Sequence, residues 1–94
     1  ILDEKAKERL KELSHKNKGS KEIMLLDSNL DEIKIVPIRS LRNFLEKTNK
    51  KPVIAIIDGT ATFSIIENLE NVYCKLIVAN NFATADTKIQ LLSL

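Results

Sequence analysis

The residues able to do chemistry are few, and their spacing limits what they can do. Asp58 and Gly59 follow Val53-Ile54-Ala55-Ile56-Ile57, the most apolar run in the chain. In an open α/β sheet, ligands bind beyond the carboxyl ends of the strands. A carboxylate there, beside a helix start, can hold a metal or orient a base. Asp58, Gly59 and Thr60 also suit a plain structural turn, with Gly supplying an unusual backbone angle and Asp capping the helix. Asp27 ends an earlier apolar run, Ile23-Met24-Leu25-Leu26. If the two strands are parallel neighbours, Asp27 and Asp58 share one sheet edge and form a pair of carboxylates for a divalent cation. The competing reading is ordinary turn chemistry in Asp27-Ser28-Asn29.

The remaining titratable groups do not assemble into a catalytic set. His15 sits among Ser14, Lys16, Asn17 and Lys18 and reads as an exposed helix-end residue. Cys74, between Tyr73 and Lys75, reads as a packed strand thiol with no nearby base. One His and one Cys at opposite ends of the chain make no triad and no structural zinc site, which takes four ligands. Two glycines in 94 residues cannot build a phosphate-cradling loop.

Binding residues are easier to find. Lys16, Lys18, Lys21, Lys50 and Lys51 are candidates for RNA phosphates, though they lack the interleaved aromatics that single-strand readers use. Residues 1–51 hold thirteen basic and nine acidic side chains, and 52–94 hold two and four, so any basic surface belongs to the first half. Phe63 begins the helix after Asp58-Gly59, and Phe82 follows the next apolar run. If those two strands are parallel, Phe63, Asn80, Asn81 and Phe82 meet at one rim, as a partner-docking patch or as a cover over the core end.

The elements that position these residues follow from periodicity and breakers. Asp3 to about Lys18 predicts a helix with a thin apolar stripe of Leu2, Ala6, Leu10 and Leu13, one that packs lightly or links to an upstream domain. On this basis 1–20 is a helix and linker, and 21–94 is an α/β interaction domain. Ile23–Leu26 and Ile33–Ile38 predict a hairpin over a five-residue turn, with Pro37 marking an edge strand. Ser40 is placed to cap a helix carrying Leu41, Phe44 and Leu45, and Pro52 bars its continuation. Val53–Ile57 is the central strand. Thr60 or Thr62 caps the next helix, with Ile65, Ile66 and Leu69 facing in. Tyr73–Ala79 and Lys88–Leu94 are the last strands, the final one antiparallel or reached by an irregular crossing. The order α-β-β-α-β-α-β-β predicts a single small α/β domain: a mixed sheet of about five strands with a parallel core and a β-hairpin edge.

At 94 residues, 44% hydrophobic and 30% charged, the chain supports one domain and gives no sign of general disorder. No apolar run approaches a membrane span and no signal peptide is visible, so neither a membrane partner nor secretion is expected. A lone cysteine suits a reducing cytoplasm. The first residue is Ile, not Met, which sets the expectation of a piece of a longer or processed polypeptide.

Four short signatures in order carry a likeness. They are Met24-Leu25-Leu26-Asp27-Ser28-Asn29, Ile35-Val36-Pro37-Ile38-Arg39-Ser40-Leu41, Ile56-Ile57-Asp58-Gly59-Thr60-Ala61-Thr62 and Lys75-Leu76-Ile77-Val78-Ala79. Together they make the stretch Ile23–Ala83 resemble the C-terminal domain of the archaeal DnaG-type primase. The family commonly continues Thr-Gln-Arg-Leu where this chain has Thr62-Phe63-Ser64-Ile65, so any role of that Gln-Arg pair is not carried over. The resemblance implies a parent polypeptide with a magnesium-dependent Toprim catalytic domain, whose acidic motifs this chain lacks. It implies no catalysis and no cofactor for this domain itself. It also implies association with the RNA exosome through the zinc-ribbon-bearing cap subunit, and a preference for adenine-rich RNA. The expected function is therefore docking onto that subunit, with accessory RNA binding as the alternative and a metal-dependent enzyme at Asp27 and Asp58 as a third.

Overall fold

The computed structural model describes residues 3–93. Helix α1 spans Glu4–Asn17 and starts where the Asp3 side chain accepts a hydrogen bond from the Ala6 N–H at 2.8 Å. That cap satisfies one of the helix's orphan donors. Leu2, one of the four stripe residues, lies outside the described residues.

Strands β1 (Glu22–Leu26) and β2 (Glu32–Pro37) form the expected antiparallel hairpin. Pro37 ends β2, the edge strand of the sheet, opposite Glu22. A 3₁₀ turn over Ile38–Ser40 then runs directly into α2 (Leu41–Lys47). This corrects the expected Ser40 cap. Ser40 itself has near-helical backbone angles, φ −100° and ψ −1°, and its hydroxyl caps nothing. A capping side chain needs extended backbone at its own residue.

Strand β3 (Ile54–Ile57) is fully buried, a two-residue strand β4 (Thr60–Ala61) follows, and α3 spans Phe63–Glu70. Of the two candidate caps for α3 it is Thr62 that serves, its hydroxyl accepting from the Ile65 N–H at 3.3 Å. Strands β5 (Leu76–Val78), β6 (Asn81–Phe82) and β7 (Gln90–Leu92) complete the fold.

The main sheet has the order β2-β1-β3-β5-β7, and β4 and β6 form a separate two-stranded sheet. β3, β5 and β7 are mutually parallel, while β1 runs antiparallel to both its neighbours. The protein is thus a small α/β domain with a mixed five-stranded sheet. The last strand, whose direction the sequence leaves open, lies parallel to β5 and is reached through the irregular stretch 83–89.

Alternation along the central strands feeds two cores. Ile23, Leu25, Ala55, Ile57 and Ile77 point to the face covered by Leu41 and Leu45 of α2 and Ile65, Ile66 and Leu69 of α3. Met24, Leu26, Ile54, Ile56, Leu76 and Val78 point to the face covered by Leu10 and Leu13 of α1. Strands buried on both faces read as continuous apolar runs for this reason. Leu10 is completely buried, so α1 seals its face of the sheet despite its thin stripe. Among the described residues, no helix is long and apolar enough to cross a membrane.

Candidate functional site

The carboxyl ends of β3 and β5 lie side by side because the two strands are parallel, Ile56 opposite Val78. Past Ile57 the chain turns at Asp58 and Gly59. Gly59 has φ +113°, a conformation L side chains rarely adopt, although a Cβ there would meet nothing within 4 Å. The need for glycine is conformational and not steric. The Gly59 carbonyl accepts from the N–H groups of both Asn80 and Asn81, at 2.9 and 3.4 Å. These bonds zip β4 to β6, with Thr60 opposite Asn81 and Ala61 opposite Phe82. The Ala83 N–H closes the pair on the Ala61 carbonyl at 2.9 Å. Asp58, Gly59, Thr60, Asn80, Asn81 and Phe82 therefore stand in one rim, and Phe63 follows it at the first turn of α3. Phe63 is 66% exposed, whereas Phe82 is half-buried and packs on the core beneath α2 and α3.

The same end is pinned to α1 by a residue the sequence reading passed over. Asn17 is 3% exposed, and its Nδ2 donates to the carbonyls of Glu22 at 2.9 Å and Ile56 at 3.2 Å. Its Oδ1 accepts from the Ser20 hydroxyl at 2.8 Å, and Ser20 Oγ accepts from the Glu22 N–H at 3.0 Å. Every hydrogen-bonding group of the buried amide has a partner, which is the condition for burying one cheaply. Next to it, Asp58 Oδ2 accepts from the Lys21 N–H at 3.1 Å. Lys21 has φ +59°, and that bond holds the turn from α1 into β1 against the end of β3. The sequence signal for Asn17 was weak: a polar residue one turn beyond Leu13, on the same stripe, before a Gly.

The pinning leaves a cleft between the second half of α1 and the strand ends. Lys11, Ser14 and His15 line it from the helix, Lys18 from the helix C-cap, and Asp58 and Asn80 from the strand ends. Its volume is about 50 Å³. His15 is exposed, as expected, and also borders this cleft. Among the described residues, the only ion pairs join Arg9 to Glu12 and Arg42 to Glu46, so Lys11 and Lys18 have no carboxylate partner there.

Other predicted groupings come apart. β1 and β3 are neighbours but antiparallel, with Leu26 opposite Ile54 and Ile23 opposite Ile57. Asp27 thus sits at the amino end of β3 and Asp58 at its carboxyl end, so the proposed carboxylate pair does not exist. Asp27 Oδ1 instead accepts from the N–H groups of Asn29 at 2.8 Å and Asp31 at 3.0 Å, closing the hairpin turn. The same antiparallel register splits the lysines. Lys16, Lys18 and Lys21 flank the start of β1, beside the end of β3, while Lys50 and Lys51 precede β3 at the opposite end. Lys16 borders a different groove, toward Met24 and Ile35.

Cys74 is buried at the amino end of β5, and its thiol donates to the Val53 carbonyl at 3.3 Å. Burial pushes this thiol up to about 11, which keeps it protonated and unreactive at neutral pH. Beside it, Tyr73 is 86% exposed with φ +61°.

Neither the family models, nor the curated proteins, nor the solved structures compared with this chain give a match.

Proposed function

We propose that this chain is the non-catalytic C-terminal domain of an archaeal DnaG-like primase, docking its parent onto the RNA exosome through the zinc-ribbon cap subunit. The observation that carries the reading is Phe63, an aromatic side chain two-thirds exposed beside the rim of Asn80 and Asn81. Exposed aromatics flanked by amides are what protein interfaces use as anchors. The four signatures that carry the family resemblance fall on β1 and its turn, on β2 leading into α2, on β3 through the α3 cap, and on β5. They are therefore the framework of the domain, and the rim projects from two of them.

The test is titration of this domain with the purified cap subunit at low and high salt, with adenine-rich RNA in parallel. Salt-tolerant binding without RNA is expected, and Phe63→Ala should weaken it at least about tenfold. Phe63→Ala is the clean variant, because Phe82 also packs on the core and its loss would cost stability. Unchanged affinity in folded Phe63→Ala removes the rim from the reading. RNA binding that falls steeply with salt, without cap binding, replaces docking by an accessory RNA role for Lys16, Lys18 and Lys21.

A further inference from the structure

We propose that the cleft between α1 and the carboxyl ends of β3 and β5 is a binding site for a phosphate group, held by Lys11, Lys18 and Asn80. The site shares Asn80 with the docking rim but not Phe63, and its lysines stand whether or not the domain docks on a protein.

The argument begins with charge. Lys11 stands on α1, Lys18 caps the end of that helix in extended backbone, and both line the cleft. His15 lies between them at the i+4 position from Lys11. Neither lysine has a carboxylate partner among the described residues, although thirteen acidic side chains are present in the chain. The one carboxylate in the cleft, Asp58, already accepts the Lys21 N–H through Oδ2. The cleft therefore carries more positive charge than negative.

Size and rigidity argue in the same direction. A water needs about 10–15 Å³ of such space, so a cavity of about 50 Å³ takes a few waters or one tetrahedral oxyanion. A whole nucleotide would leave its base and sugar outside. The walls are preformed: Asn17 ties α1 to the carbonyls of Glu22 and Ile56, and the Asn80 backbone is tied to Gly59. With the Asn80 backbone fixed on Gly59, the Asn80 side-chain Nδ2 can donate to a phosphate oxygen without ordering a loop first. The position, outside the carboxyl ends of adjacent parallel strands, is where open α/β sheets place ligands.

A phosphate group can arrive free, as a phosphomonoester, or within a nucleic-acid backbone, and the experiment separates these. Backbone amide resonances of the whole chain are followed during titration with inorganic phosphate, with adenosine 5′-monophosphate, and with a short single-stranded oligonucleotide. Saturating shifts at Lys18, Gly59 and Asn80 are expected. Lys11→Gln with Lys18→Gln should weaken the saturating probe at least about tenfold, and Lys50→Gln with Lys51→Gln should leave it unchanged. Asp58→Asn keeps an oxygen for the Lys21 N–H and removes the opposing charge, so it should tighten binding severalfold. Saturation by the small phosphates alone assigns the site to a small molecule. Much tighter binding of the oligonucleotide assigns it to a backbone phosphate. Linear, non-saturating shifts with all three probes, or equal losses in the Lys50 and Lys51 variant, overturn the proposal.

Discussion

The two ends of the β3–β5 pair are built differently. The carboxyl end is held by two side chains reaching over long sequence distances, Asn17 to the Ile56 carbonyl and Asp58 to the Lys21 N–H, and by the backbone bond from Asn80 to Gly59. The amino end is held by the backbone of neighbouring segments, with Lys75 and Leu76 N–H groups on the Val53 carbonyl and the Cys74 thiol beside them. The first end gathers polar groups at a fixed, open rim. The second closes over an inert thiol. A parallel pair offers the same strand geometry at both ends, so the contrast comes from what the connections bring. At the carboxyl end they bring an amide, a carboxylate, lysines and a phenylalanine.

The contrast is broken most severely at Asn17. Asn17→Ala leaves the buried Ile56 carbonyl and the partly buried Glu22 carbonyl short of a donor, and an unsatisfied buried group costs about 1–3 kcal/mol. A loss of about 2–4 kcal/mol in urea unfolding is expected, with the largest amide shifts in α1 and at Asp58. A loss confined to a few tenths would show that the network does not hold that end.

At the amino end the corresponding probe is pH. The Cys74 thiol titrates in the unfolded chain near 9.0 and in the folded protein near 11. The folded state thus keeps a proton that the unfolded state loses. Its contribution to stability is complete below pH 9 and disappears as pH rises toward 11, with a size on the order of 2 kcal/mol. Stability measured from pH 8 to 11 should fall less steeply in Cys74→Ala than in the parent chain. The same burial predicts that a thiol reagent modifies Cys74 rapidly only after unfolding.

Two smaller changes sharpen the comparison. Thr62→Ala removes the cap of α3 and should cost about 1 kcal/mol, loosening the turn that carries Phe63. Tyr73→Gly relieves a left-handed backbone position and should raise stability by up to about 1 kcal/mol. The proposed docking and phosphate sites should be unaffected by it, because Tyr73 stands at the other end of β5.

Much of the framework was legible because burial on both faces leaves uninterrupted apolar runs. Ile23–Leu26 and Ile54–Ile57 are legible as strands on that ground, Pro37 marks the margin, and Thr60 or Thr62 announces a helix start, with Thr62 the one that caps. The direction of β1 against β3 was not legible. The grouping of Asp27 with Asp58 required β1 and β3 to be parallel neighbours; they are neighbours but antiparallel, which puts Asp27 at the other end of β3 and divides the lysines between the two ends. The pairing of β4 with β6 was also hidden, since two-residue strands have no periodicity to read. That Asn80, Asn81 and Phe82 lie at the same end of the sheet as Asp58 and Gly59 follows from the parallel relation of β3 and β5. Asn17 escaped because a single buried amide resembles any polar residue near a helix end until its partners are known.

The placement of β1 between β2 and β3 also governs how the chain is made. β2 follows β1 after a five-residue turn, whereas β3 comes only after the second helix. Short loops close first, so synthesis from the amino terminus pairs Ile23–Leu26 on one side and leaves its other edge open until Ile54–Ile57 emerges. During that interval an apolar strand with a free backbone edge is the segment most exposed to chaperones and to neighbouring nascent chains.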